Sequence, residues 1–369
     1  MNPDRLSGRF EEEKMDHPVP MGNVVSSRRV YRTLVVFAAT WSSLSCEGAS
    51  RGTECFSADD CGKEGRCSNG TCMYRDEGTD SPPETGVASD AGGDSETADV
   101  HTDGTSSNSR DTDAPPPGCE GALAFSDPAL ETVVRRMVGK PSSALYYDDV
   151  KGIHELEAQA KDIRDLTGIE CLNNLTALAL AANPLENIQG LAGLTRLMLL
   201  DLYATDISDI APIAELSHLV ELHLAGNNIV DIRALRGLTE LTNLSLSFNP
   251  IEDISALSNL RQLTSLDLTT HVLVDIRPLS ELTEMTYLLL SFNRIRDISP
   301  LARMTQLEEL LIVDNCISDI SPLVDNEGLS GGDWVLISDN PLDCGDPQTS
   351  ADIEALENRG VDITHDCRL

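Results

Sequence analysis

The chain has 369 residues, with 61 Asp and Glu against 27 Lys and Arg and a formal charge of −34. That balance argues against nucleic acid, which needs a basic, phosphate-neutralising face, and against docking on an anionic membrane through a polybasic patch. Hydrophobic residues make up 40% but aromatics only 4%, so leucine has to build the core, and ten cysteines point to an oxidising compartment.

Residues 1–45 read as a signal region. Arg28, Arg29 and Arg32 precede a stretch of about 13 apolar or small residues from Thr33 to Ser45, too short for a membrane span. Met21 is a second candidate start, which gives a signal of ordinary length. The stretch ends in Ser43-Leu44-Ser45-Cys46. This resembles a bacterial lipobox, with Ser43 standing where a leucine is usual. The resemblance implies lipid on Cys46, an exported protein held at the cell envelope, and membrane contact through that anchor alone. An ordinary signal peptide cleaved nearby is the competing reading and gives a secreted protein. The leader holds six basic and five acidic groups, so the acidity belongs to the exported part.

Residues 46–75 form a small Cys-rich module. Cys55, Cys61, Cys67 and Cys72 follow a C-x5-C-x5-C-x4-C spacing among glycines and polar residues. So short a piece cannot bury a core, and two local disulfides would hold it, in any of three pairings. A zinc site is the alternative, but no C-x2-C pair is present. Residues 76–118 carry eleven Asp or Glu, a single Arg and many Ser, Thr, Gly and Pro. That composition predicts an extended, disordered stalk.

Residues 119–150 read as an N-terminal cap. Asp127 suits an N-cap and Pro128 a first helical position. Leu130, Val133, Val134, Met137 and Val138 then share one helical face. From 151 to 343 the chain repeats every 22 residues. The ladder position runs Asn183, Thr205, Asn227, Asn249, His271, Asn293 and Asn315, and a step of 25 gives Asn340. Lys161 precedes the ladder by one step. Five before the ladder come Leu178, Leu200, Leu222, Leu244, Leu266, Leu288, Leu310 and Val335. Each L-x-L pair predicts a short strand with leucines inward, and stacking the turns buries that face. The ladder amide satisfies backbone groups where the chain bends. Outer halves such as Asp209-Ile210 leave room for single-turn or 3₁₀ segments only. The recurring outer-loop aspartates are read as turn and helix caps rather than calcium ligands.

The pattern is that of leucine-rich repeats. Asp297-Ile298-Ser299-Pro300-Leu301 and Asp319-Ile320-Ser321-Pro322-Leu323 resemble the D-I-S-P-L phrase of the short, internalin-like class. The fold class expected is an α/β repeat solenoid with parallel strands on a concave face. The resemblance implies a binding scaffold and no enzyme. Residues 344–369 read as a C-terminal cap with a short helix and strand around Ile353, Leu356 and Val361. Cys344 with Cys367, and Cys119 with Cys171, are candidate bridges tying the caps, while Cys316 reads as a small buried hydrophobe.

Gly328-Leu329-Ser330-Gly331-Gly332 matches G-x-S-x-G but lies in an insertion ahead of a strand, where glycines turn the chain rather than form a nucleophile elbow. The seven histidines show no metal spacing, and no cofactor is expected. Binding remains. The outward strand positions include Leu199, Asp201, Tyr203, Glu221, His223, Asn243, Ser245, Asp267, Tyr287, Leu289, Glu309 and Leu311. Tyr203, His223 and Tyr287 are the amphipathic anchors for a protein partner of unstated identity; a glycan is second. Phe248 and Phe292, just before their ladder residues, read as packing. A structural, self-associating envelope protein is the alternative function.

Overall fold

The computed structural model describes Gly65–Ser68, Thr71–Tyr74, 114–270 and 272–367. The signal region, Cys46 and nearly all of the acidic stalk lie outside these residues, as does His271 of the ladder. Of the Cys-rich module, β1 (Gly65–Ser68) and β2 (Thr71–Tyr74) are described, as an antiparallel pair in which Cys67 lies opposite Cys72 in register.

The repeat gives one ten-stranded parallel sheet. Its strands in chain order are β3 (Glu155–Glu157), β4 (Ala177–Ala179), β5 (Leu199–Asp201), β6 (Glu221–His223) and β7 (Asn243–Ser245). Then come β8 (Ser265–Asp267), β9 (Tyr287–Leu289), β10 (Glu309–Leu311), β11 (Trp334–Leu336) and β12 (Asp362–Thr364). Each strand pairs with the next in sequence, so no crossover reorders them. Leu156 stands opposite Leu178, and Leu178 opposite Leu200, which fixes the step of one strand per turn. The middle residue of each strand from β3 to β11 points into the core and is buried. The flanking residues point the other way and form an open face. Outer halves close through 3₁₀ turns such as Ala211–Ile213 and Ser255–Asn259, with a single α-turn, α3 (Ser321–Asp325), in the last full repeat.

The ladder works as a hydrogen-bond relay. Asn183 donates through Nδ2 to the carbonyls of Ala158 and Leu180 at 2.8 and 2.7 Å. Its Oδ1 accepts from the N–H groups of Lys161 and Ile163. Asn227, Asn293 and Asn315 likewise donate to the carbonyl 25 residues back in the preceding turn and to the carbonyl three back in their own. The residue just before each ladder position has positive φ: Ala160, Ala182, Ala204, Gly226, Phe248, Thr270, Phe292, Asp314 and Asp339. Every turn therefore bends at the same place through a left-handed residue. For a side chain this conformation costs about 1–2 kcal/mol, and only one glycine among the nine relieves it.

Both ends are capped. α1 (Pro128–Val138) starts at Asp127, whose Oδ1 accepts from the N–H groups of Ala129 and Leu130 at 2.7 and 3.3 Å. Its Oδ2 accepts from Arg164 and Asp165 at 2.7 and 3.3 Å. One carboxylate thus caps the helix and docks it on the first turn. Leu130, Val133 and Val134 face the core, but Met137 does not; it is 49% exposed at the helix end. A second short helix, α2 (Tyr147–Val150), leads into the repeats. Cys119 is bonded to Cys171, tying the cap to the first turn. At the other end α4 (Pro347–Asn358) buries Ile353 and Leu356, and β12 extends the sheet beside β11. Cys344 is bonded to Cys367 across this cap.

Cys316 is not the unpaired hydrophobe its spacing suggests. It is buried, at 9% exposure, but its sulfur is in a disulfide.

Candidate functional site

The open face of the sheet is built by two outward residues per strand. In order from β3 these are Glu155 and Glu157, Ala177 and Ala179, Leu199 and Asp201, Glu221 and His223, then Asn243 and Ser245. Ser265 and Asp267, Tyr287 and Leu289, Glu309 and Leu311, Trp334 and Leu336, and finally Asp362 and Thr364 complete it. Carboxylates recur from end to end, and no Lys or Arg occupies any of these positions. Arg233 and Arg277 lie in outer loops, where each guanidinium is hydrogen-bonded to its own loop's Asp231 or Asp275. The Arg233 guanidinium holds the Asp231 carboxyl down at about 2.

Asp201 and His223 are register partners on adjacent strands, and Ser245 follows on β7. Cα-paired residues on neighbouring strands stand about 4.8 Å apart, so a single bound surface would meet both. Asp201 Oδ1 accepts from the Tyr203 N–H at 3.0 Å, and Asp267 Oδ1 from the Thr269 N–H at 2.9 Å. These bonds fix the carboxylates at the strand ends. Tyr287 donates its hydroxyl to Glu308 at 3.2 Å. Burial, then the Glu308 and Glu309 carboxylates, push its phenol above the ordinary value.

Tyr203 is not on a strand. The strand ends at Asp201, and Tyr203 lies in the following turn, 53% exposed at the rim. Its ring lies over Gly226 of the next turn, where an added Cβ would stand 3.5 Å from Cε2. The alternation that labels it outward stops where the chain bends. His223, Glu221, Asn243, Asp267, Tyr287 and Leu289 are half-buried on the open face. Glu309 and Leu311 differ: they are buried, at 9% and 3% exposure.

Phe248 does not pack inside. It is 41% exposed, on the same rim as Tyr203. Sequence reasoning missed it, although a bulky residue at the left-handed bend was the available signal, since nothing in the core requires it there.

The outer-loop aspartates close turns. Asp209, Asp253, Asp297 and Asp319 each accept from the N–H two residues on, at 2.8 to 2.9 Å. Among the described residues, no group of three His, Cys, Asp or Glu side chains could hold a metal ion. No helix of the described residues is long and apolar enough to cross a membrane. The G-x-S-x-G stretch has no helix after it. Ser330 is exposed, and its backbone N–H is turned onto Asp333 Oδ2 at 2.7 Å. A Cβ on Gly328 would meet the Thr305 carbonyl oxygen at 2.1 Å, so this glycine is required by close approach of the previous turn.

A family model for leucine-rich repeats, in two copies, matches residues 239–281 and 283–325. No curated protein sequence matches the chain. Among solved structures, an internalin C2 of Listeria monocytogenes is 30% identical, covering 66% of this chain and 94% of its own, with a TM-score of 0.49. A second internalin of that organism is 25% identical over 66% of this chain and 92% of its own, with a TM-score of 0.38. A leucine-rich repeat protein of Leptospira interrogans is 22% identical over 55% of this chain and 51% of its own, with a TM-score of 0.49. The repeat register and the family model agree that the chain carries leucine-rich repeats, and it is similar to internalins of the short-repeat class.

Proposed function

We propose that this protein is a non-enzymatic binding module, tethered at the cell surface, that takes a protein partner with a basic patch on the concave face of its sheet. The fold is one typical of protein-interaction modules. The observation that carries the reading is the open face itself: carboxylates along its length, no Lys or Arg, and His223 and Tyr287 among them. Charge of one sign in a shaped surface steers an oppositely charged partner and fixes its orientation. Tyr203 and Phe248 at the rim supply amphipathic and apolar area of the kind interfaces bury. The tether is the lipid on Cys46, and the acidic segment 76–118 is the stalk behind the solenoid.

The test uses the exported chain from Cys46 onward, immobilised. The expected result is saturable binding of a heterologous protein that weakens as salt rises. The variant Tyr203→Ala/His223→Ala/Tyr287→Ala should keep its thermal melting and lose the partner, because truncating aromatics central to an interface, as His223 and Tyr287 would be, often costs about 2 kcal/mol or more, with Tyr203 adding less from the rim. Unchanged affinity in that variant, or concentration-dependent self-assembly with no heterologous partner, overturns the reading. For the anchor, Cys46→Ala should release the protein from membrane fractions.

A further inference from the structure

Three aromatic side chains break the pattern of the rim, the edge of the concave face where each repeat bends. Two places before the ladder, Ala181, Ala225, Ser247, Thr269, Ser291 and Val313 are all buried. Tyr203 holds that same place and is exposed, with its ring over Gly226 of the next repeat. One place before the ladder the backbone is left-handed in every repeat, and most occupants suit it. Ala160, Ala182, Ala204 and Gly226 are small, Asp314 and Asp339 are short and polar, and the Thr270 hydroxyl accepts from the Phe248 N–H at 3.2 Å. Phe248 and Phe292, with φ of 56° and 61°, have none of these reasons. A bulky residue in this region is a genuine outlier, and such strain gathers at ligand sites. Phe248 is exposed as well, so burial does little to offset its strain.

The aromatic run has a definite length and definite borders. The Tyr203 ring covers Gly226, Phe248 follows one repeat on, and Phe292 lies two repeats beyond that. From Gly226 to Phe292 is three strand steps, about 14 Å in all. Alanines precede the run on the rim, and Asp314 and Asp339 follow it. On its concave side lie Asp201, His223, Ser245 and Asp267, register partners on successive strands, and no Lys or Arg stands among the outward strand positions.

These spacings select one kind of occupant. An α-helix repeats every turn, about 5.4 Å, close to the strand spacing of about 4.8 Å. A helix laid across the repeats therefore sets one side chain on each. An extended segment repeats the side chains of one face only every 6.7 Å or about that, and falls out of step within the run. We propose that the rim from Tyr203 to Phe292 seats an amphipathic helix of the partner protein. Its apolar stripe, about ten residues long, lies on the rings, and its Lys or Arg side chains lie over Asp201, Asp267 and Asp314. The inference rests on the concave-face reading and narrows it to a partner chemistry, since complementary charge fixes which side of the helix faces the sheet.

The experiment is fluorescence anisotropy of the full exported chain with two labelled synthetic peptides of one composition. The first is a helix with a leucine stripe at i, i+4, i+7 and i+11 bordered by lysines; the second is a shuffled sequence in which the stripe is lost. The striped peptide should bind about tenfold tighter or better. Phe248→Gly and Tyr203→Ser should each remove most of that preference. Val230→Ser, at an exposed apolar residue three places past its ladder asparagine, should leave it unchanged. Glycine suits the left-handed backbone, so the melting temperature of Phe248→Gly should hold or rise.

Equal affinity for the two peptides, or a preference that survives Phe248→Gly, overturns the proposal. A fall of about 4 °C or more in the melting temperature of Phe248→Gly shows that the ring is packing and overturns it too. Self-association lost in Phe248→Gly, or uptake of the chain on phosphatidylcholine vesicles, assigns the rim to a second copy or a lipid surface and has the same consequence. Asp201→Asn/Asp267→Asn separates this failure from that of the concave-face reading. Weaker binding of both peptides in that variant, with no advantage for the stripe, sinks the helix alone. Unchanged binding of both peptides there sinks the concave-face reading and the helix with it.

Discussion

The side-chain oxygen of Asn227 accepts from both the backbone N–H and the hydroxyl of Thr205, the ladder residue one turn earlier, at 3.0 and 3.1 Å. Thr205 keeps only part of the asparagine's bonding: its single hydroxyl proton is shared between Asn227 Oδ1 and the Leu202 carbonyl at 3.1 and 2.9 Å, whereas the asparagine Asn183 also reaches the carbonyl 25 residues back. Neither interaction is exposed. Thr205→Val should remove only the hydroxyl's bonds, at about 1 kcal/mol. Asn227→Ala strands several buried backbone groups of two turns and should cost about 3 kcal/mol or more. Urea titration compares the two, and equal losses would show that the amide carries no special share.

Asp127 ties α1 to the first turn, and its effect depends on pH. Burial raises its carboxyl, but the N–H groups of Arg164, Ala129, Asp165 and Leu130 outweigh that and hold it below the ordinary 3.8. A depressed native value means the carboxylate stabilises the fold fully above 3.8, and that contribution is lost as pH falls through the native value. Asp127→Asn presents an amide NH₂ to donors that need an acceptor, and should cost about 2 kcal/mol at neutral pH. Thermal melts of both proteins should converge as the solution is acidified below pH 3.8. A constant gap down to the lowest workable pH would refute the assignment.

Gly328 and Ser330 separate a structural motif from a chemical one. The Thr305 backbone stands where a Gly328→Ala methyl would go, with its carbonyl oxygen, carbonyl carbon and Cα at 2.1 to 2.5 Å. Overpacking of this kind costs about 1–3 kcal/mol, and backbone cannot swing aside as a side chain can. Ser330→Ala should be silent within about 0.5 kcal/mol, since the residue is exposed. Chemical denaturation decides; hydrolase activity lost on Ser330→Ala would contradict the binding-module reading.

The two cap bridges should be unequal. They close 52 and 23 residues, and loop entropy makes them worth about 4 and about 3 kcal/mol. Cys119→Ser/Cys171→Ser should expose α1 and the first turn to amide exchange, while Cys344→Ser/Cys367→Ser should expose α4 and β12. In a fold whose turns touch only their neighbours, loosening should stay at the end that was cut. Uniform loss of protection along the chain would contradict this.

The sheet was legible because its signal is arithmetic. Leu178, Leu200 and Leu222 fall at one step, and a strand pair has only one way to satisfy that step while keeping leucine inward. The open face followed from the same count, as at Asp201 and His223. It failed at Tyr203, where period-two alternation ends with the strand, and at Phe248, whose side chain is set by a left-handed backbone that no periodicity records. Met137 shares the helical angle of Leu130 but lies at the end of α1, past the reach of the core. Cys316 was missed for a different reason: once the cap and module cysteines were paired off by position it was left over, and sequence alone does not choose among pairings.

Because neighbouring strands from β3 to β10 pair at a step of 22 residues, this part of the molecule can be edited by whole turns. Removing 228–249 would bring Leu222 against Leu266, both leucines in matching strand positions, with Asn227 then preceding an equivalent outer half. The two end bridges lie outside the edited turn and would not be disturbed. Each turn writes two side chains on the open face, so its length and lettering can change by duplication or loss of a turn while the core chemistry stays the same. Such a face can be refitted to a new partner without the chain having to find a new way to fold.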